Sequence, residues 1–185
     1  MKPSFRWWLV LAAGLFVLGM VLGVVLPGDG AGSLLSEELA AIEQLAGMLT
    51  PFTATMAVFI FFKNVMVLLV SFMFSPFLCL LPAGALLLNG GILSFVGAAF
   101  IREGSLGTLL AAVLPHGIFE IPAIVIGEAA AMSFGYTVLA ILFSRGDGRR
   151  FFPGLKRDLR YLGIACAILA PAAVIETYAT PLLLY

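Results

Sequence analysis

The sequence predicts an all-α, polytopic integral membrane bundle of about five transmembrane helices, one of them carrying a broken or re-entrant segment. Three observations predict it. Hydrophobic residues make up 62% of the 185 and charged residues only 11%, against about 45–50% and about 25% in soluble domains. Mean hydropathy is +1.14. The uncharged stretches are long enough to cross a hydrocarbon core of about 30 Å at about 1.5 Å per residue. A soluble enzyme, a nucleic-acid binder and a disordered chain are excluded, because so much apolar surface needs lipid rather than water around it. The expected partner of the surface is therefore the bilayer, and no nucleic acid is expected.

The whole chain reads as one membrane domain. The first span is expected over 5–27, where Trp7 to Gly28 is uncharged and Met1 to Arg6 forms a positive flank. A signal peptide would have an apolar region of about 7–15 residues and an A-x-A-like cleavage site. This stretch is longer and ends in Val24-Val25-Leu26-Pro27, so it reads as a retained anchor. Gly19 and Gly23 form a GxxxG step that would let another helix approach closely. Residues 33–49 read as a short amphipathic helix on the extracytoplasmic side. Ser36 is its N-cap, Glu37 and Glu38 lie in its first turn, and Leu39, Ile42, Leu45 and Leu49 share a face.

The second span is expected over 50–74 and the third over 77–100, joined at Ser75-Pro76. Lys63 falls near the middle of the second, which costs about 2.5–3.5 kcal/mol on insertion scales. An alternative boundary ends a span at Phe62 and puts Lys63 at the inner surface. Residues 106–144 are too many for one simple crossing, and Pro115, His116 and Gly117 interrupt them. Proline removes an amide donor and glycine loosens the backbone. A short or re-entrant piece up to Leu114 and a full span from Ile118 to Phe143 are expected. A basic cytoplasmic loop over 145–160 and a last span over 161–183 complete the chain.

Orientation follows from the basic residues. Eight of ten lie in two segments, Lys2 with Arg6, and Arg145, Arg149, Arg150, Lys156, Arg157 with Arg160. Five crossings of a plasma membrane place both segments in the cytoplasm and the C-terminus outside. The basic segment serves as a topology determinant, and contact with anionic lipid or a cytoplasmic partner is the alternative. Cys79 and Cys166 lie in apolar runs with no CxxC or Cys/His cluster, and read as packing residues.

Charged and polar side chains inside the spans are the candidate site. His116 is the sole histidine, Glu120 follows four residues later, and Glu176, Asn64 and Asn89 sit in other spans. A carboxylate in hydrocarbon is expensive unless paired, hydrogen-bonded or neutralised. The cheapest arrangement brings these groups together at the bundle centre. An imidazole beside carboxylates suits a proton relay or an ion site. His116, Glu120 and Glu176 would also suit a divalent metal such as zinc, with one position open. The plain alternative has His116 capping the broken helix, a protonated Glu120 donating to a carbonyl, and the two amides gluing helices together. Glu128, two turns after Glu120, either shares its face or lies near a surface. No HExxH, Ser/His/Asp set or phosphate-binding glycine loop is present, so an enzyme is not expected and no cofactor is expected apart from that metal.

The stretch Leu114-Pro-His-Gly-Ile-Phe-Glu-Ile-Pro-Ala123 resembles the signature of the stage II sporulation protein M family of integral membrane proteins. Phe61-Phe-Lys-Asn64, Leu88-Asn-Gly-Gly91 and Ile175-Glu-Thr-Tyr-Ala-Thr-Pro181 resemble further pieces of it, in the family's order. Together they cover most of the chain after Thr50. The matching positions are Asn64, Asn89, Gly90, Pro115, His116, Gly117, Glu120, Pro122, Ala123 and Glu176. Lys63 departs from the pattern, which has a neutral residue there. The resemblance implies similarity to one part of a membrane complex that, in sporulating members, recruits peptidoglycan-degrading partners during engulfment. The expected role is a scaffold subunit of an envelope-remodelling or membrane assembly, with a homodimer or other membrane-protein partners. The alternative is a transporter or channel using the polar cluster, and an intramembrane metalloenzyme is a third reading.

Overall fold

The computed structural model describes residues 3–25, 52–102, 106–144 and 151–184, apart from the side chains at 99–100, 102, 106, 108–116, 144 and 179–184. Among the described residues the chain forms five helices and no strand: α1 (Phe5–Val25), α2 (Ala54–Phe74), α3 (Leu80–Arg102), α4 (Leu106–Ser144) and α5 (Phe151–Leu184). Each contains a stretch long and apolar enough to cross a membrane. The protein is thus an all-helical, multi-pass membrane bundle. The amphipathic helix expected over 33–49 lies outside the described residues.

Local chemistry sets the helix ends. Thr53 is extended, with φ −108° and ψ 146°, and its hydroxyl accepts a hydrogen bond from the Met56 amide at 3.3 Å. That caps one of the donors a helix start leaves open, and α2 begins at Ala54, four residues after the expected start at 50. Pro82 and Pro153 each fall in the first turn of a helix, where no amide partner is lost.

The turn from α2 to α3 is tight. The Cys79 amide donates to the Ser75 carbonyl at 2.9 Å, and Leu78 and Cys79 both have φ of 56°. Side chains rarely adopt that backbone, and packing must hold it. Here Ser75 is fully buried, and Gly135 of α4 lies so close that a Cβ there would overlap the Ser75 carbonyl.

Two expectations are corrected. The backbone break at Pro115, His116 and Gly117 does not occur as loss of helix, because α4 is helical without interruption from Leu106 to Ser144. A proline costs one amide bond and a local clash, and the remaining bonds of the 39-residue α4 carry the helix through it. The segment expected as a loop over 145–160 is helical from Phe151 onward. Lys156, Arg157, Asp158 and Arg160 lie on the first stretch of α5, with Leu155 half-buried and Asp158 buried, and residues 145–150 lie outside the described residues.

The helix α4 is the centre of the bundle. More than half of its span is buried, against a third or less for every other helix, and it packs against all four. Its interface with α5 is the most extensive. Ala129, Ala130 and Ala131 are fully buried, since small side chains let neighbouring backbones close in from several sides.

The second interface by size joins α1 to α3. A Cβ on Gly19 would overlap the Leu87 backbone, one on Gly23 the Gly91 backbone, and one on Gly90 the Phe16 carbonyl. The GxxxG step therefore does what its spacing predicts. Gly19 meets Leu87 and, four residues on, Gly23 meets Gly91, so α1 and α3 run parallel.

Stacked rings tie one end of the bundle. Phe5 stacks on Tyr161 with ring centres 3.6 Å apart, Trp8 meets Tyr136 at 5.4 Å, and Phe72 stacks on Phe134 at 4.6 Å. The start of α1 therefore lies beside the start of α5, and Arg6 shares an end of the bundle with Lys156, Arg157 and Arg160.

Candidate functional site

Two carboxyl groups on α4 are withdrawn from solvent and from the outer surface. Glu120 is 5% exposed and Glu128 is fully buried. They lie eight residues apart, about 12 Å along the helix. Glu128 was read from the sequence as either a partner of Glu120's face or a surface residue. The structure settles it as the most buried acid on α4. A signal for this was present in Gly127-Glu-Ala-Ala-Ala131, because an acid set in a run of the smallest residues is one that other helices press upon.

Three contacts fix what faces α4 from α2. Leu68 fills the space above Gly127, Ser71 faces Glu128, and Ser75 packs on Gly135. The two helices therefore run parallel. Neither oxygen of Glu128 has a hydrogen-bond partner among the described residues. The Ser71 hydroxyl faces the carboxyl without completing a bond of normal geometry. An ionised carboxylate so placed costs several kcal/mol unless something pairs with it.

The other expected residues are distributed as follows. Asn64 is buried on α2, with the expected polar character turned inward. Lys63, its neighbour, is exposed on the outer side of the same helix. Asn89 is half-buried on α3, and its amide donates to the Ala85 carbonyl of its own helix at 2.8 Å. That bond lies within its own helix, so it neither contributes to a shared centre nor joins two helices. Glu176 is half-buried on α5, and neither it nor Glu120 is without a partner. Gly117 is half-buried and Pro122 exposed on α4. The side chains of Pro115 and His116 lie outside the described residues, so the pairing of His116 with Glu120 lies outside them too. Among the described residues, no three of His, Cys, Asp and Glu are placed to hold a metal ion.

A second polar group, which sequence reasoning missed, sits where α4, α5 and α1 meet. Asp158 is fully buried. The Arg157 guanidinium donates to Asp158 Oδ1 from Nε at 2.9 Å and from Nη2 at 2.8 Å. Nη2 also donates to the Ser133 hydroxyl of α4. The same guanidinium stands 5.8 Å from the centre of the Phe5 ring, within cation–π range. One arginine thus joins three helices. The available signal was a lone acid inside a basic segment.

Buried hydroxyls elsewhere are satisfied by their own helices. Thr137 donates to the Ser133 carbonyl at 2.7 Å, Thr177 to Ala173 at 2.8 Å, and Ser94 to Gly91 at 3.1 Å. Cys79 and Cys166 are free thiols, both half-buried, and Cys79 donates to the Met132 carbonyl at 3.6 Å.

The family model for stage II sporulation protein M matches residues 12–181. The chain belongs to the stage II sporulation protein M family. Its likeness extends to an uncharacterized protein of Methanocaldococcus jannaschii, 32% identical over 93 residues, which is 50% of this chain. The match spans about half the length of that relative, 51% of it. No solved structure matches the chain. Asn64, Asn89, Glu120 and Glu176 lie on four of the five helices, α2, α3, α4 and α5.

Proposed function

We propose that this chain is the membrane-embedded scaffold subunit of an envelope-remodelling or membrane assembly. The observation that carries the reading is Lys63. It is exposed in the middle of α2, among the exposed apolar side chains Phe62, Met66 and Val67. A cation on the lipid-facing side of a span is costly. A partner helix presenting an acidic or polar group would relieve that cost. Family membership supports the same reading, and so do the described residues, which are almost wholly taken up by helices of the bundle and would act on the envelope through partners.

The test is a photo-crosslinking amino acid placed at Met66 in the full chain in cells, with Val17 on α1 as the comparison. The expected result is a discrete protein adduct at Met66, identified by mass spectrometry and lost in Lys63→Glu. Labelling of lipid alone at both positions, unchanged by Lys63→Glu, overturns the scaffold reading.

A second reading is a proton or ion pathway, favoured by Glu128, a buried carboxyl with no hydrogen bond among the described residues. Asn64 and Ser71 from α2 add to the polar character of the interior, and Glu120 extends it along α4. In proteoliposomes loaded with a pH-sensitive dye, Glu128→Gln and Glu120→Gln should each abolish pH-dependent flux on this reading. Flux that is absent from the folded natural chain, or unchanged by both variants, removes it.

A further inference from the structure

The first four turns of α5 carry Pro153, Lys156, Arg157, Arg160, Tyr161 and Ile164 on one side, at the spacing of a helical face, and together they line a groove of about 470 Å³. Its composition changes along the helix. The cations come first, at the end of the bundle that also bears Arg6. The Tyr161 ring follows, held flat against Phe5 at 3.6 Å. Ile164 continues the groove toward the apolar part of the span.

The charges are not equivalent. Asp158 is the one carboxylate in this stretch, and it is fully buried and engaged by Arg157. Its charge is therefore spent within the protein. Arg157 is held in place by Asp158, Ser133 and Phe5, so little side-chain freedom remains for a ligand to remove. Lys156 and Arg160, four residues apart, are exposed, and among the described residues that line the groove none is a carboxylate. The groove keeps a net positive character over an apolar extension.

We propose that this groove binds the phosphate headgroup of an anionic phospholipid, with Lys156 and Arg160 on the phosphate, Arg157, whose charge Asp158 balances, as a fixed wall between them, and the acyl chain leaving past Tyr161 and Ile164. The gradient from cation to aromatic to aliphatic along one helix face matches the order of chemical groups along a lipid that enters from the membrane surface. A soluble anion would use only the first of the three. Basic side chains at such a surface attract anionic lipid individually, and the groove adds a fixed geometry to that attraction.

The experiment uses the purified full chain in neutral detergent, with bound lipids counted by native mass spectrometry during titration with phosphatidylglycerol, phosphatidylcholine or inorganic phosphate. One phosphatidylglycerol should be retained in preference to phosphatidylcholine, and inorganic phosphate at equal concentration should not displace it. Lys156→Gln with Arg160→Gln should weaken retention roughly thirtyfold, and each single change roughly fivefold. Arg160→Lys should restore most of the loss. Arg6→Gln removes an exposed charge from the same end without touching the groove lining, and should change retention little. Equal retention of phosphatidylcholine, equal weakening by Arg6→Gln, or displacement by inorganic phosphate would each overturn the proposal. Circular dichroism of the exposed-site variants checks that the helices persist, and Arg160→Lys keeps the test decisive should the double variant unfold.

Discussion

Substituting alanine for Gly14 and for Gly19 puts the same methyl group on the same helix, and the structure expects opposite outcomes. Around Gly14 nothing lies within 4 Å of an added Cβ. At Gly19 the Cβ would lie 2.8 Å from the Leu87 Cα and 2.9 Å from its carbonyl carbon, and would overlap the carbonyl oxygen. Carbon atoms rest at about 3.5–4.0 Å, so α3 must retreat by roughly 1 Å. A gap of that size forfeits about a quarter to a half of each dispersion contact along the interface. Overpacking of this kind costs about 1–3 kcal/mol. Alanine in place of glycine in a helix interior returns about 1 kcal/mol at either site. Gly14→Ala should therefore stabilise by about 1 kcal/mol, and Gly19→Ala should range from no net change to a loss of about 2 kcal/mol. The shared gain cancels, so the two variants should differ by the overpacking cost, about 1–3 kcal/mol, or about 2–12 °C in thermal midpoint for a chain of this size. The assay is differential scanning fluorimetry of both variants in one detergent, followed on the native tryptophans. Equal midpoints, or a higher midpoint for Gly19→Ala, would show that α1 and α3 do not touch backbone to backbone.

Three further outcomes are expected. Asp158→Asn should lower thermal stability by about 1–3 kcal/mol, because the ion pair becomes a bond from a cation to a neutral amide and leaves the Arg157 charge unbalanced; an unchanged midpoint would mean the Arg157 contact joins nothing. In a Cys166→Ala background, maleimide should label Cys79 more slowly at pH 8 than it labels a peptide cysteine. Burial pushes that thiol up from its ordinary value, against a smaller opposing effect of the Tyr136 backbone. Thiolate, the reactive form, is therefore scarcer at any given pH and increases only at higher pH, and labelling as fast as in the peptide would place Cys79 outside the α2–α3 turn packing. Reporter tags at the N-terminus and within 145–150 should read the same side of the membrane, with a tag after residue 184 on the other; tags at the first two positions on opposite sides would refute the five-crossing order.

Much of the fold was legible from composition and spacing. The long uncharged runs marked all five helices, because a helix in lipid must be apolar throughout its length and cannot hide that signal. The Gly19 and Gly23 step marked a close contact, because a small residue at helical spacing has few other uses in a membrane. The site was less legible. Glu120 and Asn64 are buried as expected, and Lys63 stands apart from its polar neighbour. Asn89 instead bonds within its own helix, a local option that spacing does not reveal. Glu128 and Asp158 gave weaker signals, since a charged residue's burial depends on which neighbours close over it.

By itself, then, the order of residues determined an all-helical membrane protein with one strongly basic end, because the cost of exposing polar backbone or charge to hydrocarbon is set residue by residue. Only the tertiary structure decided that α4 is the helix the others surround, that it stays helical through Pro115 and Gly117, and that Arg157 clasps Asp158 and Ser133 across the α4–α5 contact. Those outcomes depend on which faces meet. In a helix that is apolar all round, no periodicity in the sequence tells the lipid-facing side from the packed one.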